Sequence, residues 1–225
     1  MSLVPGMASL LLFSTLSVFF VFFPVWCKQE ETSFVQRAGT IFAGRQYNST
    51  LVVSNGGDFG SWTWPEMCPE GFYAIGFSLR VEEKQVGMDD TALNGIRLFC
   101  SRPTDRSILY TVESHTGLVS NFSCFWRFGE WTQTLWCPSG TLKSFQLRVE
   151  APQGLFGDDT SANNIRFRCS SNPVVEGMGW TWGEYGNWSE ECKGGGICGI
   201  ETKQEPYQVG LDDTSLNDVR FFCCA

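Results

Sequence analysis

Three times in 225 residues the chain sets out two aspartates, a threonine, an asparagine, an arginine and a cysteine at one spacing. The copies read GMDDTALNGIRLFC at 87–100, GDDTSANNIRFRC at 157–169 and GLDDTSLNDVRFFC at 210–223. Self-similarity of this kind restricts a chain to architectures in which like units stack or ring one another. Anchored on the motif, three units run over 47–104, 105–171 and 172–225. Each opens with a β-rich run (LVVSNGG, ILYTVESHTG, PVVEGMG), then passes an aromatic-Gly-x-Trp element at Phe59 to Trp62, Phe128 to Trp131 and Tyr185 to Trp188.

A cysteine follows in each unit, and after it an alternating segment. FSLRVE at 77–82 places Phe77, Leu79 and Val81 opposite Ser78, Arg80 and Glu82, the pattern of a strand with one buried face. FQLRVE at 145–150 repeats it, and IETKQE at 200–205 is a weaker copy. No comparable window after Cys27 has a helical period, and 24 glycines with 15% aromatics punctuate the chain into short segments, so the class is all-β.

Ten cysteines in a chain of this length read as a disulfide framework. Cys68 to Cys100 and Cys137 to Cys169 are both intervals of 32 residues, and Cys192 to Cys223 is one of 31. One bridge per unit is the economical pairing, with Cys198 and Cys224 as a fourth pair. Cys223 and Cys224 are adjacent and can exchange partners, so spacing alone leaves the connectivity open. Cys124 is left over in an insertion at 118–126 of the second unit; it is free, joins another chain, or pairs with Cys27 if that residue is retained.

The first 27 residues hold an apolar run from Ala8 to Phe23, and every charged residue comes after Cys27. This reads as a secretory signal peptide over 1–27, without the usual basic n-region, followed by an N-terminal segment at 28–46 and a single domain at 47–225. A signal anchor is the alternative, although the run is short of the roughly 20 residues that span a bilayer. Cleavage leaves a secreted, extracellular protein with no stable membrane insertion. Sequons at Asn48, Asn121 and Asn187 suit that compartment. A net charge of −8 with scattered basic residues excludes nucleic acid as the expected partner and favours basic extracellular-matrix proteins; glycans are the other expected class of partner.

The paired carboxylates, Asp89 with Asp90, Asp158 with Asp159 and Asp212 with Asp213, are candidates for carbohydrate binding. Neighbouring residues in extended chain point to opposite faces, so one pair alone cannot straddle a glycosidic bond. Asp, Thr and Asn also shape turns by bonding local backbone N–H groups, and a ring of like units needs its turn three times. Structure is therefore the stronger reading, with Arg97, Arg166 and Arg220 available to pair with carboxylates. The order of ligating residues lacks a calcium-loop pattern, so no metal and no cofactor is expected. His115, the sole histidine, reads as a solvated loop residue. Of the tryptophans, Trp62, Trp131 and Trp188 share a position and are expected to be buried. Trp64, Trp136 and Trp182 are less regular and are candidates for a carbohydrate surface.

The segment WPEMCPEGFYAIGFSLRVE, the three DDT-[AS]-x-N motifs and the terminal RFFCC resemble the vitelline membrane outer layer protein 1 family over about 47–225, with 118–126 as the main departure. The resemblance implies a β-prism of the first type, with three Greek-key antiparallel sheets round a pseudo-three-fold axis. It further implies a secreted structural component of the egg's outer vitelline layer or of mucosal fluids. An avian member is associated with a lysozyme-like transferase activity on chito-oligosaccharides, but no catalytic residue carries over, and a non-enzymatic role is the expectation.

Overall fold

Period-two alternation becomes strand throughout the computed structural model, which describes residues 45–83, 92–115, 129–151, 161–205 and 216–225, all in the compact unit Ser33–Ala225. In chain order the strands are β1 (Ser49–Leu51), β2 (Ser61–Trp62), β3 (Glu66–Met67), β4 (Tyr73–Val81), β5 (Leu93–Arg102), β6 (Asp105–Glu113), β7 (Glu130–Trp131), β8 (Leu135–Trp136), β9 (Leu142–Val149), β10 (Ala162–Cys169), β11 (Val174–Glu176), β12 (Glu184–Tyr185), β13 (Gly196–Gln204) and β14 (Leu216–Cys224). The described residues contain no helix. The segment read as a weak copy at 200–205 lies in β13 up to Gln204, in a strand as long as β4.

Three antiparallel sheets result, ordered β6-β5-β4-β7 with β8 also on β4, β11-β10-β9-β12, and β1-β14-β13-β2 with β3 also on β13. Each is a Greek key, in which the fourth segment returns beside the first. The architecture is a β-prism of the first type. Sheet and sequence unit are out of step, however. The opening strands of the second unit complete the hairpin of the first, those of the third complete the hairpin of the second, and β1 to β3 close on the last hairpin. The chain is thereby a ring joined at its own ends.

Hairpin registers set Phe77 opposite Leu98, Phe145 opposite Phe167 and Ile200 opposite Phe221, and all six side chains are fully buried. At the centre the Phe167 ring lies 4.7 Å from Phe77 and 5.1 Å from Phe221, and Phe145 lies 4.8 Å from Phe221, so residues from all three hairpins meet in one core. Each hairpin shifts register twice, for example between Ala74 and Gly76 and between Arg80 and Val81. Bulges of this kind raise the local twist and curl each sheet around the core.

The disulfides tie this ring together. Cys68–Cys100, Cys137–Cys169, Cys192–Cys223 and Cys198–Cys224 are the pairs in the structure. Cys68 donates its N–H to Cys198 O in β13, Cys137 to Ile75 O in β4 and Cys192 to Lys143 O in β9. Their partners lie in β5, β10 and β14, so each bridge within a unit joins two different sheets. Only Cys198–Cys224 lies within one sheet, across β13 and β14. Cys27 and Cys124 fall outside the described residues, as do Asn121, the 118–126 insertion and the segment read as a signal peptide.

Three glycines set the angle at which each opening segment meets its sheet. Gly60, Gly129 and Gly183 have φ of 78°, 81° and 69°, and a Cβ on any of them would strike the backbone of Gln204, Val81 or Val149 within 2.4 Å. A left-handed backbone costs an L-residue roughly 1–2 kcal/mol before any clash. Gly183→Ala is therefore expected to destabilise the fold by about 2 kcal/mol or more, read as a lowered denaturation midpoint at unchanged slope. These glycines also correct the alignment of the third unit. Trp62, Trp131 and Tyr185 occupy the same register, opposite Lys203, Arg80 and Arg148. The structural counterpart of Phe59 to Trp62 is Trp182-Gly183-Glu184-Tyr185, three residues before the element singled out in the sequence.

Candidate functional site

The polar face of each central strand is covered rather than solvated. Ser78, Gln146 and Glu201 are 2%, 6% and 5% exposed, because arginines and aromatics roof them. The guanidinium of Arg97 sits 3.9 Å from the ring centre of Trp131, that of Arg220 4.4 Å from Trp62 and that of Arg166 4.1 Å from Tyr185. Stacking of cation on π-face holds both groups flat. A second cation lies opposite each ring residue in the register and ties the opening segment down: Arg80 Nε donates to Gly129 O, Arg148 Nε to Gly183 O and Lys203 Nζ to Asp58 O. Arg97 pairs with Glu113 at 2.7 Å and Arg220 with Glu201 at 2.6 Å, whereas Arg166 bonds Gln146 and reaches Glu176 only at 3.9 Å. Trp62, Trp131 and Trp188, expected in the interior, thus stand on the outer faces. Trp62 is 37% exposed, Trp131 and Trp188 are half-buried, and the guanidiniums take the place of core contacts.

The three tryptophans expected to offer a carbohydrate surface lie on three different sheets. Trp64, half exposed, stacks on the His115 ring at 3.7 Å, and Glu66 accepts hydrogen bonds from Trp64 Nε1 and from His115 Nε2. His115 is accordingly a clasp between β3 and the end of β6, not a solvated loop residue. Trp136, 41% exposed, covers Gly76, where any Cβ would meet its ring at 2.5 Å. Trp182 is half-buried against Trp180.

Asp89, Asp90, Asp158, Asp159, Asp212 and Asp213 lie outside the described residues. The later residues of each motif build a turn and its anchor. Ala92 and Ser161, one step after the threonine, adopt φ of 45° and 50°. The motif asparagines Asn94, Asn163 and Asn217 are buried, and the carbonyls of Asn163 and Asn217 accept the N–H groups of Trp180 and Gly57. This end of the motif anchors the opening segment of the next unit to the preceding hairpin.

A groove of about 420 Å³ lies between the β9–β10 and β13–β14 sheets. The Asn55 to Phe59 loop forms one wall; Val149 to Ala151, Ser161 and Glu184 to Gly186 form the other. Asn55 Nδ2 donates to Leu147 O at 2.9 Å, and Gly186 is held to glycine by the Asn55 amide, which a Cβ would meet at 2.3 Å. The groove gathers the carboxylates of Asp58, Glu150 and Glu184 beside Phe59, which is half exposed, and Tyr185, whose hydroxyl is held above the usual phenol range by burial and by Glu176. Phe59 and Tyr185 open two of the aromatic-Gly-x-Trp elements and Glu150 ends an alternating segment, but no motif marks any of these residues as part of a site. Among the described residues no cluster of three or more His, Cys, Asp or Glu could hold a metal ion.

Behind the groove, Asp218 packs on Gly56 and accepts the Val219 N–H. Burial pushes its carboxyl up to about 6, against the opposing pull of that N–H, Lys203 and Arg220. At the equivalent position Asn164 donates to Gly177 O. Between the ordinary aspartate range and pH 6 the folded chain binds a proton that the unfolded chain releases. Stability from this group therefore falls as pH rises through that window. Asp218→Asn is expected to raise stability at pH 7 by about 1–2 kcal/mol, allowing for solvent screening, and to remove that fall, seen in melting temperatures at about pH 4.5 and 7.5.

The family model described as Vitelline membrane outer layer protein I matches residues 49–225. The human Vitelline membrane outer layer protein 1 homolog is 50% identical over 181 residues, covering 79% of this chain and 84% of its own. The mouse protein of the same name is 48% identical over 182 residues, covering 80% and 85%. Among solved structures, a mannose-binding lectin from Champedak superposes with a TM-score of 0.48 at 11% identity, over 81% of this chain and 100% of that one. A match that runs from β1 to the last residue, with half of the aligned residues shared with the human relative, shows that the chain belongs to the vitelline membrane outer layer protein I family.

Proposed function

We propose that the protein is a secreted, disulfide-stabilised structural component of an extracellular layer or mucosal fluid. The observation that carries this reading is the placement of the bridges: Cys68–Cys100, Cys137–Cys169 and Cys192–Cys223 staple each sheet to the next, which suits a protein built to persist in an oxidising, protease-rich setting. Asn48 and Asn187 are exposed, as acceptors of N-linked glycans must be. The test is to express the full chain in cultured animal cells. A new N-terminus near residue 28, glycans on Asn48 and Asn187, and survival in protease until a reductant is added are expected. Retention in the cell, or equal digestion with and without reductant, would count against it.

The groove favours a second reading, as a site for chito-oligosaccharides. Exposed Phe59 offers an apolar face, and Asp58 and Glu184 offer acceptors for sugar hydroxyls. Titration with chitotetraose, with turnover followed on the same samples, decides it. Binding lost in a Glu184→Gln, Phe59→Ala variant supports the reading, and no heat or shift change with the wild-type protein removes it.

A further inference from the structure

The outer face of the β9–β10 sheet departs from its two counterparts in charge. Where β5 and β14 carry Phe99 and Phe222, β10 carries Arg168, two positions after Arg166. Arg168 lies 4.3 Å from the Trp188 ring, Arg166 lies 5.8 Å from Trp188 and 4.1 Å from Tyr185, and Arg148 lies 5.4 Å from Tyr185. Three guanidiniums and two aromatic rings thus share one strip. The neutralising carboxylate stands farther off than on the other sheets: Glu176 faces Arg166 across the strands as Glu113 faces Arg97, and Gln146 takes the place of Glu201. Arg97 and Arg220 each hold a glutamate at under 3 Å. Here the only ion pair among the described residues is Arg166 with Glu176 at 3.9 Å, and Glu176 is 49% exposed. A chain of net charge −8 has therefore set three arginines on one face around a single, more distant carboxylate.

We propose that this strip binds a sulfated glycan chain. Guanidinium presents paired N–H donors that match a sulfate's oxygens, and stacking on Trp188 and Tyr185 fixes the planes in advance, so that little side-chain freedom is lost on binding. Alternate residues of one strand stand about 7 Å apart, which sets Arg166 and Arg168 to hold successive charged groups of an extended polyanion. The inference deepens the extracellular reading, on which it rests for the availability of such a ligand, and names the class of glycan.

The experiment uses the full secreted chain, enzymatically freed of N-glycans, on heparin-agarose and on plain agarose, with elution by a salt gradient. Retention on heparin alone is expected at about 50 mM NaCl, in spite of the net negative charge, with competition by soluble heparin and none by neutral dextran. Arg168→Phe installs the residue the other sheets carry, and an unchanged melting temperature will report an intact fold. This variant should weaken heparin affinity by about fivefold or more, as expected when a charge-assisted contact is lost. Arg102→Gln removes the same charge from the exposed end of β5 and should change affinity by less than about twofold. Passage of the wild-type protein through the column, or equal weakening in the two variants, overturns the proposal. Either result leaves the stapled structural reading standing, since that reading fails on secretion and protease resistance instead.

Discussion

Replacing Cys137 and Cys169 together with alanine is expected to lower the free energy of unfolding by about 3.5–4 kcal/mol, the chain-entropy value for a loop of this size. For a domain this large that is a fall of roughly 7–15 °C in melting temperature. The bridge closes a 32-residue loop and fastens the loop after β8, on the β4–β5 sheet, to the end of β10. Its loss should also be local in its symptoms. The Cys137 N–H bonded to Ile75 O and the Cys169 N–H bonded to Pro173 O should exchange with solvent faster than amides at the other two joints. Calorimetry and native-state hydrogen exchange on the double variant check both. A loss below about 1 kcal/mol would mean that packing alone holds the joint.

Phe167→Ala is expected to cost about 4 kcal/mol, more than any single change on an outer face. Its ring is fully buried and lies within 6.3 Å of Phe77, Phe145 and Phe221, which come from all three hairpins. Truncation removes its apolar burial and leaves a cavity that three curled sheets cannot close without shifting against one another. Urea denaturation should show the loss. Phe99→Ala, on the outer face beside Trp136, serves as a comparison and is expected to cost less than half as much. Equal costs would indicate that the axial cluster is not where the sheets meet.

The repeat in the sequence made the all-β class and the hairpins legible, because each depends on spacing along the chain, and it made one bridge per unit the economical pairing while the adjacent Cys223 and Cys224 left the connectivity open. Phe77, Phe145 and their opposite residues face inward as alternation requires. What spacing does not convey is which hairpin an opening segment joins. A two-residue strand such as β7 carries no pattern of its own, and its attachment to β4 is set by Gly129 and by Arg80 reaching the Gly129 carbonyl. The same limit explains the misaligned third unit. Tyr185 stands where the other units have Trp62 and Trp131, and Tyr185-Gly186-Asn187-Trp188 satisfied the same four-residue pattern by coincidence. A shared position in the repeat does not place the outer tryptophans in the core, because Arg97, Arg166 and Arg220 supply them with a partner that is itself polar. The groove at Asn55 to Phe59 was invisible for a further reason: it joins residues 92 positions apart, as in the bond from Asn55 to Leu147.

The chain closes into a ring, with the opening of its first unit completing the hairpin of its last. Cross-strand nuclear Overhauser effects in the isotope-labelled oxidised protein test it most directly. Contacts are expected between Thr50 and Phe222 and between Trp62 and Lys203. Contacts that instead pair 49–51 and 61–62 with strands of their own unit, 73–81 or 93–102, would contradict it.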